Sequence, residues 1–111
     1  MDDSFDNIEI TPGQVKERLD REEPFVFVDV REPWERDTSY IAGSVLIPLR
    51  EIPAHVGEFE DANEIVLYCH HGMRSLDAAA WLRSQGIAGA RSMAGGIDRW
   101  SVEVDSSIPR Y

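Results

Sequence analysis

The chain has 111 residues, enough for one domain with a single core, and its 42% hydrophobic and 29% charged residues are ordinary for a soluble globular protein. Eleven basic against twenty-one acidic residues leave a net charge of −10, which argues against nucleic acid and anionic membrane as partners, because both need a basic face. A local basic cluster can oppose the global sign, so a small anionic substrate stays open.

One cysteine, Cys69, allows no intrachain disulfide, and a reduced thiol fits a reducing compartment. Residues 1–7 are acidic and lack the basic and apolar regions of a signal peptide. No apolar run approaches membrane-spanning length. The expected location is the cytoplasm, with residues 1–7 as a loose lead-in and residues 8–111 as a single domain.

In chain order, Ile8-Glu9-Ile10 fits a short strand. Thr11-Pro12-Gly13-Gln14 then carries three helix-start signals: an N-cap threonine, proline at the first helical position and a glutamine that completes a capping box. Val15 and Leu19 give that helix a narrow apolar face as far as about Arg21. Phe25 to Val30 is apolar almost throughout, as a strand covered on both faces would be, and it ends in the polar run Asp29, Arg31, Glu32. Val45-Leu46-Ile47 reads as a third strand, residues 49–56 as a short helix disturbed at Pro53, and 57–64 as an acidic connector. Ile65 to Tyr68 is the fourth strand and runs straight into Cys69. Ser75 is a good N-cap, Leu76, Ala79, Ala80 and Arg83 follow at helical spacing, and Gly86 is a plausible stop. Arg91-Ser92-Met93 reads as a fifth strand and Ile97 to Ser101 as one helical turn, with an irregular tail from Val102 to Tyr111. Alternating strands and helices predict an α/β domain with a mostly parallel sheet. Sites in such sheets lie beyond the carboxyl ends of the strands, where Asp29-Val30-Arg31 and Cys69 to Arg74 both fall.

The placement of Cys69 sets its chemistry. The first turn of a helix presents unpaired N–H groups and the positive end of its dipole. A tight loop can aim further N–H groups at the sulfur, and Arg74 adds a positive charge that does not titrate away. Each favours thiolate over thiol. A lone cysteine after an apolar strand is usually a small buried hydrophobe, but His70-His71-Gly72-Met73-Arg74 is too polar for core, so a functional thiol is the stronger reading. Cys69-His70-His71 does not read as a metal site: ligands on adjacent residues point apart and no cysteine pair or carboxylate completes a tetrahedral set.

Four segments together resemble the rhodanese family of sulfurtransferases. They are Asp29-Val30-Arg31-Glu32-Pro33-Trp34-Glu35; Tyr40-Ile41-Ala42-Gly43-Ser44 with Ile47-Pro48-Leu49; the loop Cys69-His70-His71-Gly72-Met73-Arg74-Ser75; and Ala94-Gly95-Gly96-Ile97-Asp98-Arg99-Trp100. Tyr40 stands where histidine is usual in that family. The resemblance runs from about Ile8 to Tyr111. It implies a three-layer domain with a central, mostly parallel five-stranded sheet and helices on both faces. It also implies a cofactor-free reaction in which Cys69 takes sulfane sulfur from thiosulfate or another donor, becomes a persulfide, and passes the sulfur to cyanide or a thiol. A protein persulfide donor or a sulfur carrier is a further partner of this kind.

For the surrounding residues the expectations divide. Arg74 either orients an anionic donor or pairs with a neighbouring carboxylate. His70 and His71 flank the mouth, tuning anion entry or simply facing solvent. Asp29 is expected to brace the active loop through backbone N–H groups, Arg31 to reach the substrate rim or, the favoured reading, to pair with Glu35, Trp34 and Trp100 to pack, and Gly72, Gly95 and Gly96 to supply backbone freedom. Two rivals use the same residues: a cysteine phosphatase or arsenate reductase, whose oxyanion loop is one residue longer than Cys69 to Arg74, and a sulfur-accepting binding module.

Overall fold

In the computed structural model, which describes residues 7–111, five strands form one sheet: β1 (Glu9–Ile10), β2 (Val26–Asp29), β3 (Val45–Leu46), β4 (Ile65–Tyr68) and β5 (Ala90–Met93). Their order is β1-β5-β4-β2-β3, and every adjacent pair is parallel. Apart from Asn7, the lead-in expected over 1–7 lies outside the described residues. No helix among the described residues is long and apolar enough to cross a membrane.

The central strand β4 shows how the layers arise. Successive side chains leave opposite faces of a strand. Ile65, Leu67 and Cys69 therefore enter one core with Ile52, Phe59, Ala78 and Leu82, while Val66 and Tyr68 enter the other with Val15, Ile97 and Trp100. The first core is covered by a 3-10 helix (Leu49–His55), α3 (Val56–Phe59) and α4 (Met73–Ser84). The second is covered by α1 (Pro12–Asp20) and α5 (Gly96–Glu103). Each fully buried aliphatic side chain contributes about 1.5–3 kcal/mol of transfer free energy.

The local signals at α1 and at the end of α4 act as expected. Thr11 Oγ1 accepts the Gln14 N–H at 3.1 Å, and Gln14 Oε1 accepts the Thr11 N–H at 2.9 Å. Gly86 has φ +90°, and the N–H groups of Gly86 and Ile87 bond the carbonyls of Arg83 and Leu82, each at 3.0 Å. This is the Schellman pattern, with Ile87 and Leu82 both buried in the same apolar core.

Other elements differ from expectation. A helix, α2 (Pro33–Thr38), occupies the polar run after β2; it starts at Pro33 and is held by the Glu35 carboxylate, which accepts the Glu32 N–H at 2.9 Å. Part of the acidic connector is helical as α3, and α5 has eight residues rather than one turn. Helix α4 begins at Met73 with Gly72 as its N-cap, so Ser75 lies inside the first turn.

The register brings the polar strand ends together. Asp29 is opposite Tyr68, and the Val30 N–H bonds the Tyr68 carbonyl at 3.0 Å. Asp29-Val30-Arg31 and the Cys69 loop thus leave adjacent parallel strands on the same rim.

Candidate active site

Cys69 follows the last residue of β4 and is 1% exposed. Its Sγ accepts the backbone N–H of Gly72 at 3.1 Å and of Ser75 at 3.4 Å. Ser75 is the third residue of α4, so the sulfur occupies the place of an N-cap side-chain acceptor. That explains why Ser75 is not the cap: the sulfur already satisfies its N–H. The Ser75 hydroxyl turns inward instead, 3.4 Å from Sγ and 2.7 Å from the Ser92 hydroxyl. Two converging N–H groups and the helix dipole favour negative charge on the sulfur.

Helix α5 holds the loop from the other side. The N–H groups of Ile97 and Asp98 donate to the carbonyls of Cys69 at 2.9 Å and His70 at 3.1 Å. Such close approach requires glycine at the helix start. Gly96 has φ +61°, and a Cβ there would collide with both carbonyl oxygens. Gly72, at φ +101°, makes the loop's sharp turn beneath Gly95. Gly96→Ala is expected to cost about 2–5 kcal/mol, the sum of a left-handed backbone and overpacking. Gly57→Ala, inside α3 with open space around it, is expected to be near neutral. Urea unfolding of the two variants checks the contrast; equal losses would contradict this account of the loop.

Arg74 points its fork at α2. Its Nη1 and Nη2 each donate to a Glu35 carboxylate oxygen at 2.8 Å, while the Glu35 side chain is only 4% exposed. The Arg74 guanidinium holds the Glu35 carboxyl down at about 2, against the opposing effect of burial. The same pair raises Arg74 above its ordinary value. Tyr111, far along the tail, donates its hydroxyl to Glu35 at 2.8 Å and accepts from Arg31 Nη1 at 2.9 Å. Burial pushes the Tyr111 phenol up to about 12.

Beneath this lies a buried charge cluster. Arg31 and Asp29 are both 0% exposed. Arg31 Nε and Nη2 donate to the two Asp29 oxygens at 2.9 Å each, and Nη2 also reaches the Ser39 carbonyl at 2.7 Å. Arg36 adds a second guanidinium to Asp29 at 3.2 Å. Two expectations are corrected here. Arg31 pairs with Asp29 and meets Glu35 only at its backbone carbonyl, at 3.4 Å. Asp29 serves Arg31 and Arg36 rather than the Cys69 loop, because its two oxygens are taken up by the Arg31 backbone N–H and guanidinium and by Arg36.

The mouth is bordered by rings. The His70 ring stacks on Tyr111 at 3.8 Å between centroids and on His71 at 3.9 Å; Trp34 meets Tyr111 edge-on at 6.2 Å. Trp34 is therefore an exposed part of this strip rather than core, whereas Trp100 is buried. Burial, then the neighbouring His71, pushes the His70 imidazole below its ordinary value. The exposed Met73 lies at the start of α4. Helix α5 brings Asp98 close enough that the donor atoms of His70, His71 and Asp98 lie within 4.8 Å of one another. This is the donor set the described residues offer a metal ion, with a carboxylate that the sequence did not place there. The same carboxylate accepts two hydrogen bonds from Arg110, at 2.8 and 3.1 Å.

Residues 11–103 match the family of the Rhodanese-like domain. The chain belongs to this family. Among similar curated proteins, the rhodanese-like chain is 33% identical over 101 residues to a thiosulfate sulfurtransferase, GlpE, of Pseudoalteromonas translucida, covering 91% of the chain and 95% of that protein. It is 35% identical over 88 residues, 76% of its length, to a rhodanese-like/PpiC domain-containing chloroplast protein of Arabidopsis thaliana, of which it spans only 29%. A crystal structure of a rhodanese-related protein from Thermoplasma volcanium superposes with a TM-score of 0.74 at 31% identity, covering 86% of this chain and 92% of that one.

Three residues of the rhodanese-like site carried no functional expectation. In the sequence Glu35 reads as the end of the first motif and a partner for Arg31, Ser92 as a strand residue, and Tyr111 as part of an irregular tail. The proline at the first turn of α2 and the glutamate three residues after its N-cap were the available signal for Glu35. The depressed Glu35 carboxyl has a direct consequence. Its folded value of about 2 lies below the ordinary 4.5, so its contribution is complete above pH 4.5 and is lost as pH falls toward 2. That contribution is about 3 kcal/mol. Glu35→Gln should lose correspondingly less stability between pH 6 and pH 2.5 than the native rhodanese-like chain, read by urea midpoints; equal losses would contradict the pairing.

Proposed function

We propose that this rhodanese-like chain is a sulfurtransferase that carries sulfane sulfur on Cys69. The donor is thiosulfate or a persulfide, and the acceptor is cyanide or a thiol. The observation that carries this reading is the Cys69 sulfur, seated at a strand end beneath the N–H groups of Gly72 and Ser75. The sulfurtransferase name of the Pseudoalteromonas relative supports it.

The reaction follows from that seat. The Cys69 thiolate attacks the outer sulfur of the donor. A new sulfur–sulfur bond forms, the donor's own bond breaks, and sulfite or a thiolate leaves with the electron pair. The persulfide's outer sulfur is then the electrophile for a second nucleophile, which departs with it and returns the Cys69 thiolate. The amides stand ready for negative charge on sulfur at the start and end of this cycle, so little reorganisation accompanies its movement. Arg74, held by Glu35, fixes the loop's shape; Asp29 and Arg31 support the strand end from which Glu35 is presented.

Two half-reactions sharing one covalent intermediate predict double-displacement kinetics. Thiocyanate formation at varied donor and cyanide concentrations should give parallel double-reciprocal lines. Intersecting lines, showing that donor and cyanide must be bound together, would contradict the reading.

A further inference from the structure

The Cys69 loop has two ends, and one side chain from the tail reaches both. At the first, the Tyr111 ring lies flat on His70, 3.8 Å between centroids and 7° from parallel. At the second, the Tyr111 hydroxyl donates to Glu35 Oε1 at 2.8 Å, the same oxygen that accepts Arg74 Nη2 at 2.8 Å. His70 directly follows the sulfur-bearing residue, and Arg74 directly precedes Ser75, whose N–H reaches the sulfur. The hydroxyl also accepts from Arg31 Nη1 at 2.9 Å, so its donor and acceptor sides are both used. With the phenol pushed up to about 12 by burial, it stays protonated at neutral pH and remains a donor to Glu35.

The tail has other anchors. Ile108 packs against the second core, the Ser101 hydroxyl donates to the Ile108 carbonyl at 2.5 Å, and Arg110 forks onto Asp98. These contacts deliver Tyr111 to the mouth. The seat for the sulfur, by contrast, depends on how the loop ends are held. The Gly72 and Ser75 N–H groups stabilise charge on sulfur in a transition state only as far as they are aimed before the reaction begins. On the His70 side the backbone is held by α5. On the Arg74 side the hold is the fork onto Glu35, and Glu35 is itself aimed by the Glu32 N–H and the Tyr111 hydroxyl.

Building on the sulfurtransferase reading, we infer that Tyr111 is a positioning residue for sulfur transfer: its ring fixes His70 and its hydroxyl fixes Arg74 through Glu35, which keeps the loop's amides aimed at the Cys69 sulfur. Tyr111 acts through these two neighbours and not on the transferred atom. Loss of the hydroxyl alone therefore slows the attack step and leaves donor binding as it was.

The test is loading of the full chain by thiosulfate or by mercaptoethanol persulfide, whichever loads the native chain faster, followed as intact mass in quenched flow over a range of donor concentrations. Tyr111→Phe keeps the ring and removes the hydroxyl. Its limiting rate should fall about three- to ten-fold, while the half-saturating donor concentration stays within about two-fold of native. Tyr111→Leu, which loses the stack as well, should fall about thirty- to a hundred-fold. Leu19→Ala is the control for stability, because it thins the same second core from α1 without touching His70 or Glu35. It should lower the thermal melt yet load within about two-fold of native. An unchanged limiting rate in Tyr111→Phe, a loss confined to its half-saturating concentration, or equal slowing by Leu19→Ala would overturn the inference while leaving the sulfurtransferase reading intact. A native chain that takes sulfur from neither donor would overturn both.

Discussion

Cys69→Ser is expected to lose sulfur transfer by at least about a thousand-fold, the scale on which removal of a covalent nucleophile acts. Cys69 is the only cysteine in the chain, so no neighbouring thiol can take over. A serine oxygen is a far poorer nucleophile than a thiolate and forms no stable carrier of sulfane sulfur. The same substitution should leave the fold in place. The serine hydroxyl occupies nearly the same space and can accept the Gly72 and Ser75 N–H groups that now reach the sulfur. The measurement is thiocyanate formation beside a thermal melt. A near-native melt with lost activity is the expected pair of results; near-native activity would show that sulfur moves without passing through Cys69.

Arg31→Met is expected to produce the largest loss of stability, about 3–5 kcal/mol, because it leaves a buried charge without its principal partner. The guanidinium ties Asp29 on β2 to the Ser39 carbonyl, away from water, and to the part-buried Tyr111 hydroxyl. Methionine fills much of the volume but its side chain donates nothing, so Asp29 would keep Arg36, at 3.2 Å, and the backbone N–H of residue 31, at 3.0 Å, but lose both guanidinium bonds. Adding Asp29→Asn to this variant removes the stranded charge and should restore part of the loss. Urea unfolding of the two single variants and the double variant measures the coupling. A loss below about 1 kcal/mol for Arg31→Met would place the pair among those contributing little.

The parts of the fold that were legible rest on local chemistry. The continuous apolar runs of β2 and β4 announce strands buried on both faces, and Thr11 with Gln14 announces α1. The Cys69 loop was legible because polar residues follow an apolar strand directly. Its neighbours were not, for a common reason: their partners are distant in sequence. Arg74 meets Glu35 across 39 positions, and Tyr111 reaches Arg31 across 80. Local pattern alone does not reveal such pairs. The expected Arg31–Glu35 pair chose a neighbour four positions away, but Asp29, two positions back and in the same buried layer, presents both oxygens. Ser75 illustrates competition rather than distance. It has the composition of a cap, but the sulfur three positions before Gly72 meets its N–H first and moves the helix start to Met73. The eight-residue α5 was underestimated because its opening glycines read as a turn, whereas their positive φ angles let the helix begin directly against the loop carbonyls.

The most direct test of the central claim is the intact mass of the native chain after incubation with a sulfane donor, thiosulfate and mercaptoethanol persulfide in separate samples, followed by removal of excess donor. The expected result is a gain of one sulfur atom, located on Cys69 by peptide mapping, erased by cyanide with formation of thiocyanate, and absent from Cys69→Ser. A chain that forms thiocyanate at its full rate while never gaining that sulfur, or that carries it at any residue other than Cys69, would contradict the account.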